Sequence, residues 1–221
     1  MGDEEASKAQ ISIARAIIYR VLSRCFSYPD KELIELFVSA RVEEFFQSWR
    51  LLGLSNGAIT PITGWLAGFA DHDSALSELE KEFIRLFARP YPDVLVQPYA
   101  SVYLDGERLI WGRSTAEVAR LYEAAGLGMN ENFHDVPDHI AAELEFASYL
   151  IAKQLKSDEH GSPSAEQLAT FEKKLLTEHL HKWAPTFFNR VIECSSAGFY
   201  QATALMGRQF TDRDTQYLKT I

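Results

Sequence analysis

Apolar residues return every three or four positions along almost the whole chain, and strand-like alternation is hard to find. The first such run, from Ala9 to Phe26, puts Ile13, Ala16, Ile17, Val21 and Phe26 near one stripe, with Arg15, Arg20 and Arg24 on other faces. Pro29 in "SYPD" ends it, and Asp30 is placed to cap a second helix carrying Leu33, Leu36 and Phe37. Residues 41–70 predict one or two shorter helices, interrupted by Gly53, "SNG", Pro61 and Gly64. A longer helix is expected from about Ser74 to Ala88, with Leu76, Leu79, Phe83, Leu86 and Phe87 inward. Like charges repeat there at i, i+4 in Glu78/Glu82 and Lys81/Arg85, so packing rather than local pairing has to hold it.

The period breaks at residues 89–113, "RPYPDVLVQPYASVYLDGERLIWGR", which hold three prolines and three tyrosines. So long a loop in a compact domain is functional or disordered, and its aromatic content argues for an ordered one. Ser114 and Glu117 then form a capping-box pattern, and Gly126 suits the close of that helix. In "HDVPDHIAAELEF" (134–146), Asp135 can cap a helix, Pro137 fits its first turn and Asp138 adds negative charge at the positive dipole end. Ile140, Leu144, Ala147 and Ile151 continue down one side. Ser164 and Gln167 make a second capping box, and two closing helices follow, one entered near Pro185 and one centred on Tyr200. The expectation is an all-α, single-domain bundle over 1–221, with about nine to eleven helices and a long ordered loop near 89–113.

Composition narrows the function. The chain has 221 residues, 47% hydrophobic and 24% charged, ordinary for a globular protein. Its formal charge of -9 repels a phosphate backbone and favours basic partners, so nucleic acid is disfavoured. No stretch approaches the ~20 apolar residues a bilayer crossing needs, and the acidic start "MGDEEA" is unlike a secretory signal, so a cytoplasmic protein without stable membrane insertion is expected. Cys25 and Cys194 lie far apart in apolar helical patterns and read as buried free thiols.

The polar cluster at 134–146 carries the chemistry. His139 and Glu143, four apart, project from one helix face with His134 just before, which suggests a metal-dependent helical enzyme using His134, His139 and Glu143. Against it, HExxH is absent, and a second ligand cluster is missing except for His179 and His181 near the C-terminus. General acid/base work by Asp138 and His139 lacks a recognisable nucleophile. The plainer alternative makes the aspartates caps and leaves Glu143 and Glu145 solvated or bonded to a neighbouring loop. A binding module fits better: helices framing an aromatic loop make an apolar groove, and an acidic rim attracts a basic peptide.

Four blocks, "EFIRLF" (82–87), "QPYASVYLDG" (97–106), "VPDHIAAELEF" (136–146) and "HLHKWAPTFFNRV" with "FYQATA" downstream, resemble in order and spacing the TorD/DmsD/NarJ family of molybdoenzyme-specific chaperones. The resemblance spans roughly Ile13 to Met206. It implies an all-helical fold, no catalysis, and binding of the N-terminal leader, often a twin-arginine signal peptide, of a molybdoenzyme catalytic-subunit precursor; no cofactor or metal is expected. It implies leader-binding roles for Pro137, Asp138, His139 and Glu143, for Ser101 and Tyr103 in the loop, and more loosely for Trp65 and Trp111. Glu82 and Phe87 are expected to hold the groove. In that scheme Asp138 and Glu143 pair with leader guanidinium groups while aromatic side chains bury its apolar stretch. A monomer and a domain-swapped dimer both remain open, as does a purely structural adaptor.

Overall fold

In α1 (Lys8–Phe26) Ser7 and Gln10 form a reciprocal capping box, each side chain accepting the other's N–H. The computed structural model that shows this describes residues 7–55, 57, 60–89, 94–106, 111–127, 136–156, 163–196 and 198–220. Small side chains let α1 lie against α8 (Ile140–Gln154), and two serine hydroxyls stitch the pair. Ser23 donates to the Ala141 carbonyl and Ser148 to the Ala16 carbonyl, both at 2.8 Å, which fixes the helices as antiparallel. Ala16 and Ala141, both buried at these contacts, permit the close approach.

Around this pair lie α2 (Lys31–Val38), α3 (Arg41–Leu51), α4 (Thr60–Leu66), α5 (His72–Phe83), α6 (Ala100–Leu104), α7 (Arg113–Ala124), α9 (Ala165–Lys174), α10 (His181–Cys194) and α11 (Phe199–Leu218). No strand occurs among the described residues, only an isolated antiparallel bridge between Tyr99 and His139. The all-α expectation holds. Two π-helical turns occur: Ile84–Ala88 closes the α5 helix, and Leu175–Leu180 joins α9 to α10 in one continuous rod. Such turns carry an extra residue and recur at functional sites. α10 and α11 approach so closely that a side chain at Gly207 would strike the Phe188 ring at 2.6 Å. The core is aromatic: Phe26 meets Phe87, Phe187 and Phe188, and Tyr19 sits edge-on to Phe210.

A buried ion cluster ties α1 to α9, α10 and α11. Arg15 binds both oxygens of Asp214 and reaches Glu172 at 2.7 Å. The Tyr19 hydroxyl donates to Asp214 at 2.6 Å and lies 2.9 Å from His181 Nε2. The carboxylates outweigh burial and hold Arg15 firmly charged.

Several local expectations need correction. The 89–113 loop contains α6, whose turn forms because Asp138, far away in sequence, caps it. α5 begins at His72 under an Asp71 cap, two residues before Ser74. α7 starts at Arg113: Thr115 accepts the Gly112 N–H, Ser114 turns to Asp105, and Glu117 pairs with Arg113 instead of capping. α8 starts at Ile140, so Pro137 and Asp138 precede it, and its N-cap is His139; Asp135 lies outside the described residues. α10 begins four residues before Pro185, and Tyr200 opens α11 instead of centring it. Cys25 is buried, its thiol pushed up to about 12 by burial, whereas Cys194 is only half-buried.

Candidate functional site

Residues 94–106 and 136–140 cross in front of α8. Ile140 N–H donates to the Pro98 carbonyl at 2.8 Å and Ala100 N–H to the Asp138 carbonyl at 2.9 Å, which sets Tyr99 opposite His139 with their rings 5.3 Å apart. Val96 N–H pins the other end of the segment to the Leu86 carbonyl, on the first π-helical turn, at 2.9 Å. His139 caps α8 through Nδ1, which accepts the Ala141 N–H at 3.2 Å; in the neutral ring the proton is then on Nε2.

Behind this crossing the polar side chains are enclosed. Asp138 is fully buried, and its Oδ2 accepts the Ser101 N–H at 2.8 Å, serving as the N-cap that α6 lacks in its own sequence. Asp138 Oδ1 and Ser101 Oγ have no partner among the described residues. Glu143, also fully buried, meets His179 Nε2 at 2.8 Å and accepts the Trp183 indole N–H at 3.1 Å. Trp183 stacks on Tyr103 at 5.4 Å, and the Tyr103 hydroxyl donates to the Gln97 carbonyl at 2.9 Å, so support passes from Glu143 to the loop. The second π-helical turn is what presents His179 here.

Burial raises the Glu143 carboxyl above its ordinary range, with His179 and Trp183 offsetting part of that. Burial also works against an imidazolium at His179, but the charge and hydrogen bond of Glu143 outweigh it and move His179 up. Tyr122, whose hydroxyl donates to the Pro137 carbonyl at 3.3 Å, is raised by burial and then by Glu143.

On the solvent side of the crossing a pocket of about 310 Å³ opens between Tyr28, Phe83, Phe87, Pro98, Tyr99 and His139, with Ala141 at its edge. Phe87 also packs on Phe26, Phe187 and Tyr200, so this wall is continuous with the core. Tyr28 is 55% exposed against Phe83, and Ile84 and Leu95 also show apolar surface. A small concavity with a rigid aromatic floor suits apolar side chains of a peptide.

The structure thus brings Pro137, Asp138, His139, Glu143, Ser101 and Tyr103 into one layered wall, with only His139 on the pocket side. The expectation that Asp138 and Glu143 face incoming guanidinium groups meets a physical obstacle: both are fully buried, and Glu143 is engaged twice. Glu143 is therefore not solvated either. Trp65 lies elsewhere, over Gly198, where φ is +95° and a side chain would strike the indole at 2.6 Å. Trp111 is 63% exposed at positive φ just before α7. Glu82 accepts from Arg85 Nε and Nη2 at 2.6 Å and from the Ser196 N–H at 3.2 Å, while Arg85 donates to the Cys194 carbonyl, so this pair fastens the α10–α11 connection. Sequence reasoning missed Tyr28, Tyr99 and Trp183 as parts of the site, and it noted His179 only for metal binding. Among the described residues no group of three His, Cys, Asp or Glu side chains could hold a metal, and His134 lies outside them.

The pattern of the family described as nitrate reductase delta subunit matches residues 53–189. The chain belongs to this TorD/NarJ family. Similar family members include the chaperone protein TorD of Aliivibrio salmonicida, 28% identical over 92% of this chain and 94% of that one, and that of Escherichia coli O7:K1, 30% identical over 85% and 87%. A crystal structure described as a redox enzyme maturation protein from Archaeoglobus fulgidus superimposes with a TM-score of 0.54 and 25% identity, covering 90% of this chain and 93% of that one. These family members are chaperones, not enzymes, and the metal-dependent reading gives way to theirs.

Proposed function

We propose that the protein is a cytoplasmic, system-specific chaperone that binds the N-terminal leader, of twin-arginine type, of a molybdenum-cofactor oxidoreductase precursor. It holds that leader until the cofactor is inserted and the enzyme is ready for export or assembly. The observation supporting this reading is the aromatic pocket at the loop–α8 crossing, in a chain whose relatives are TorD chaperones. The apolar stretch of the leader docks against Tyr28, Phe83, Phe87, Tyr99 and His139. Pro137, Asp138, Ser101, Tyr103 and Glu143 act from behind, by fixing the crossing. Glu145, exposed one turn beyond Ala141 on α8, is better placed than Glu143 to meet a guanidinium. Trp111 offers a further exposed aromatic contact.

Titration calorimetry with a synthetic twin-arginine leader peptide, two arginines followed by an apolar stretch, tests the reading. Tyr99→Ala combined with His139→Ala should weaken binding about tenfold or more while the helical circular dichroism signal persists, in line with loss of a central aromatic anchor. Glu145→Lys should weaken it less and flatten its salt dependence. Unchanged affinity in the double variant removes the pocket from the leader's path.

A further inference from the structure

Away from the leader pocket, the far ends of α2 and α5 and the turn after α4 enclose a second concavity, and it joins two chemistries. One part, of about 380 Å³, is apolar, with Val38, Leu66, Phe69 and Ala70 around a floor that includes Phe37. It runs into a shallower part of about 410 Å³ lined by Lys31, Ile34, Glu35, Asp71 and Asp73; Asp71 and His72 belong to both. Val38, the last residue of α2, is 48% exposed at the apolar rim. At the polar end Lys31 is already paired with Asp73 at 2.8 Å, which leaves Glu35 and Asp71 as excess negative charge. Phe37 and Phe199 separate this groove from the leader pocket: Phe37 packs on Phe199, Phe199 on Tyr200, and Tyr200 on Phe87.

We infer that this groove is a docking site for a basic amphipathic helix of a partner protein, with its apolar face over Val38, Leu66 and Phe69 and its lysines or arginines toward Glu35 and Asp71. Charge selects this occupant. A second copy of the chain would bring another -9 to an acidic rim, and a nucleic acid would be repelled by the same groups. The site is distinct from the leader pocket and does not depend on that assignment.

The probe is a synthetic fifteen-residue helix with leucines at i, i+3, i+4 and i+7 and a cluster of arginines at one end, labelled for fluorescence anisotropy (about two heptads). The full chain should bind it with an affinity that falls as salt rises. Val38→Glu discriminates, because it adds negative charge: non-specific attraction would strengthen, whereas seating of an apolar face should weaken at least tenfold. Ala70→Glu, exposed on the same rim, repeats the test should the first variant perturb α2. The same two variants should leave leader-peptide affinity unchanged. Equal or tighter probe binding by both variants overturns the inference. Loss of leader binding in both, with the leader displacing the probe, also overturns it, by making this groove the leader's own site.

Discussion

His179 and His181 stand two residues apart, yet their protons move in opposite directions. His181 sits in the cluster that Arg15 anchors; burial lowers it, and Arg15 adds to that despite the pull of Asp214. His179 sits beside Glu143, where no arginine or lysine is bonded among the described residues, so the carboxylate outweighs burial and raises it. The lesson concerns fixed charge. Where a permanent cation already neutralises buried carboxylates, burial prevails and the histidine is lowered; where a carboxylate faces it alone, the histidine is raised. The Arg15 cluster is thus closed, whereas the Asp138–Glu143 wall is rich in acceptors and keeps two atoms, Asp138 Oδ1 and Ser101 Oγ, without partners among the described residues.

Removing the fixed cation should have the largest effect. Arg15→Met strands Asp214 and Glu172 in a dry interior and should cost about 3–5 kcal/mol in urea denaturation. A loss below roughly 1 kcal/mol would mean that the cluster is not closed in solution. Glu143→Ala leaves the Trp183 N–H and His179 without their acceptor and should cost roughly 2–3 kcal/mol; Glu143→Gln, which still accepts from Trp183, should cost less. Asp138→Ala removes the remote cap of α6 and should cost about 1 kcal/mol, with faster amide exchange at Ser101; Asp138→Asn keeps an acceptor and most of the protection.

The smallest effects are in pH, and their signs oppose. His179 is raised in the folded state, so its contribution is complete below the unfolded value of about 6.5 and is lost as pH rises through the folded value. The raised Glu143 acts in the same direction, the folded chain binding more protons than the unfolded one. His181 is lowered, so its contribution is present above about 6.5 and is lost as pH falls toward the folded value. Melting temperature against pH should therefore fall away on both sides of neutrality, measured below the region of about 8.5 where an unfolded cysteine ionises. His179→Gln should flatten the alkaline side and His181→Gln the acid side; the reverse assignment would break the comparison.

Much of this architecture could be read from the period of the apolar residues. Ile140, Leu144, Ala147 and Ile151 are all buried where a 3.6-residue repeat puts them, and Ser164 and Gln167 cap as their spacing says. Local signals failed where a distant group intervened. Asp138 looked like a cap for its own helix, but the N–H it satisfies is 37 positions away. Glu143 looked like surface because glutamate normally is; its burial depends on Trp183 and His179, which no local pattern ties to it. The charges of α5 were read at i, i+4, whereas Lys81 pairs with Glu78 and Arg85 with Glu82 at i, i+3. The resemblance named the blocks around the site, but it could not say which side of the wall each residue faces.

The π-helical turn at Leu175–Leu180 gives this region a fixed length as well as a fixed shape. One surplus residue in a turn rotates all that follows by roughly 100° relative to an unbroken α-helix. Excising a single exposed position such as Thr177 would let the rod regularise, yet Leu168 and Glu172 before it and His179 and Trp183 after it could no longer face the same interior. A one-codon deletion at the surface there would act like a slipped gear tooth, and a second site where one codon must be gained would be the natural place to look for its suppressor.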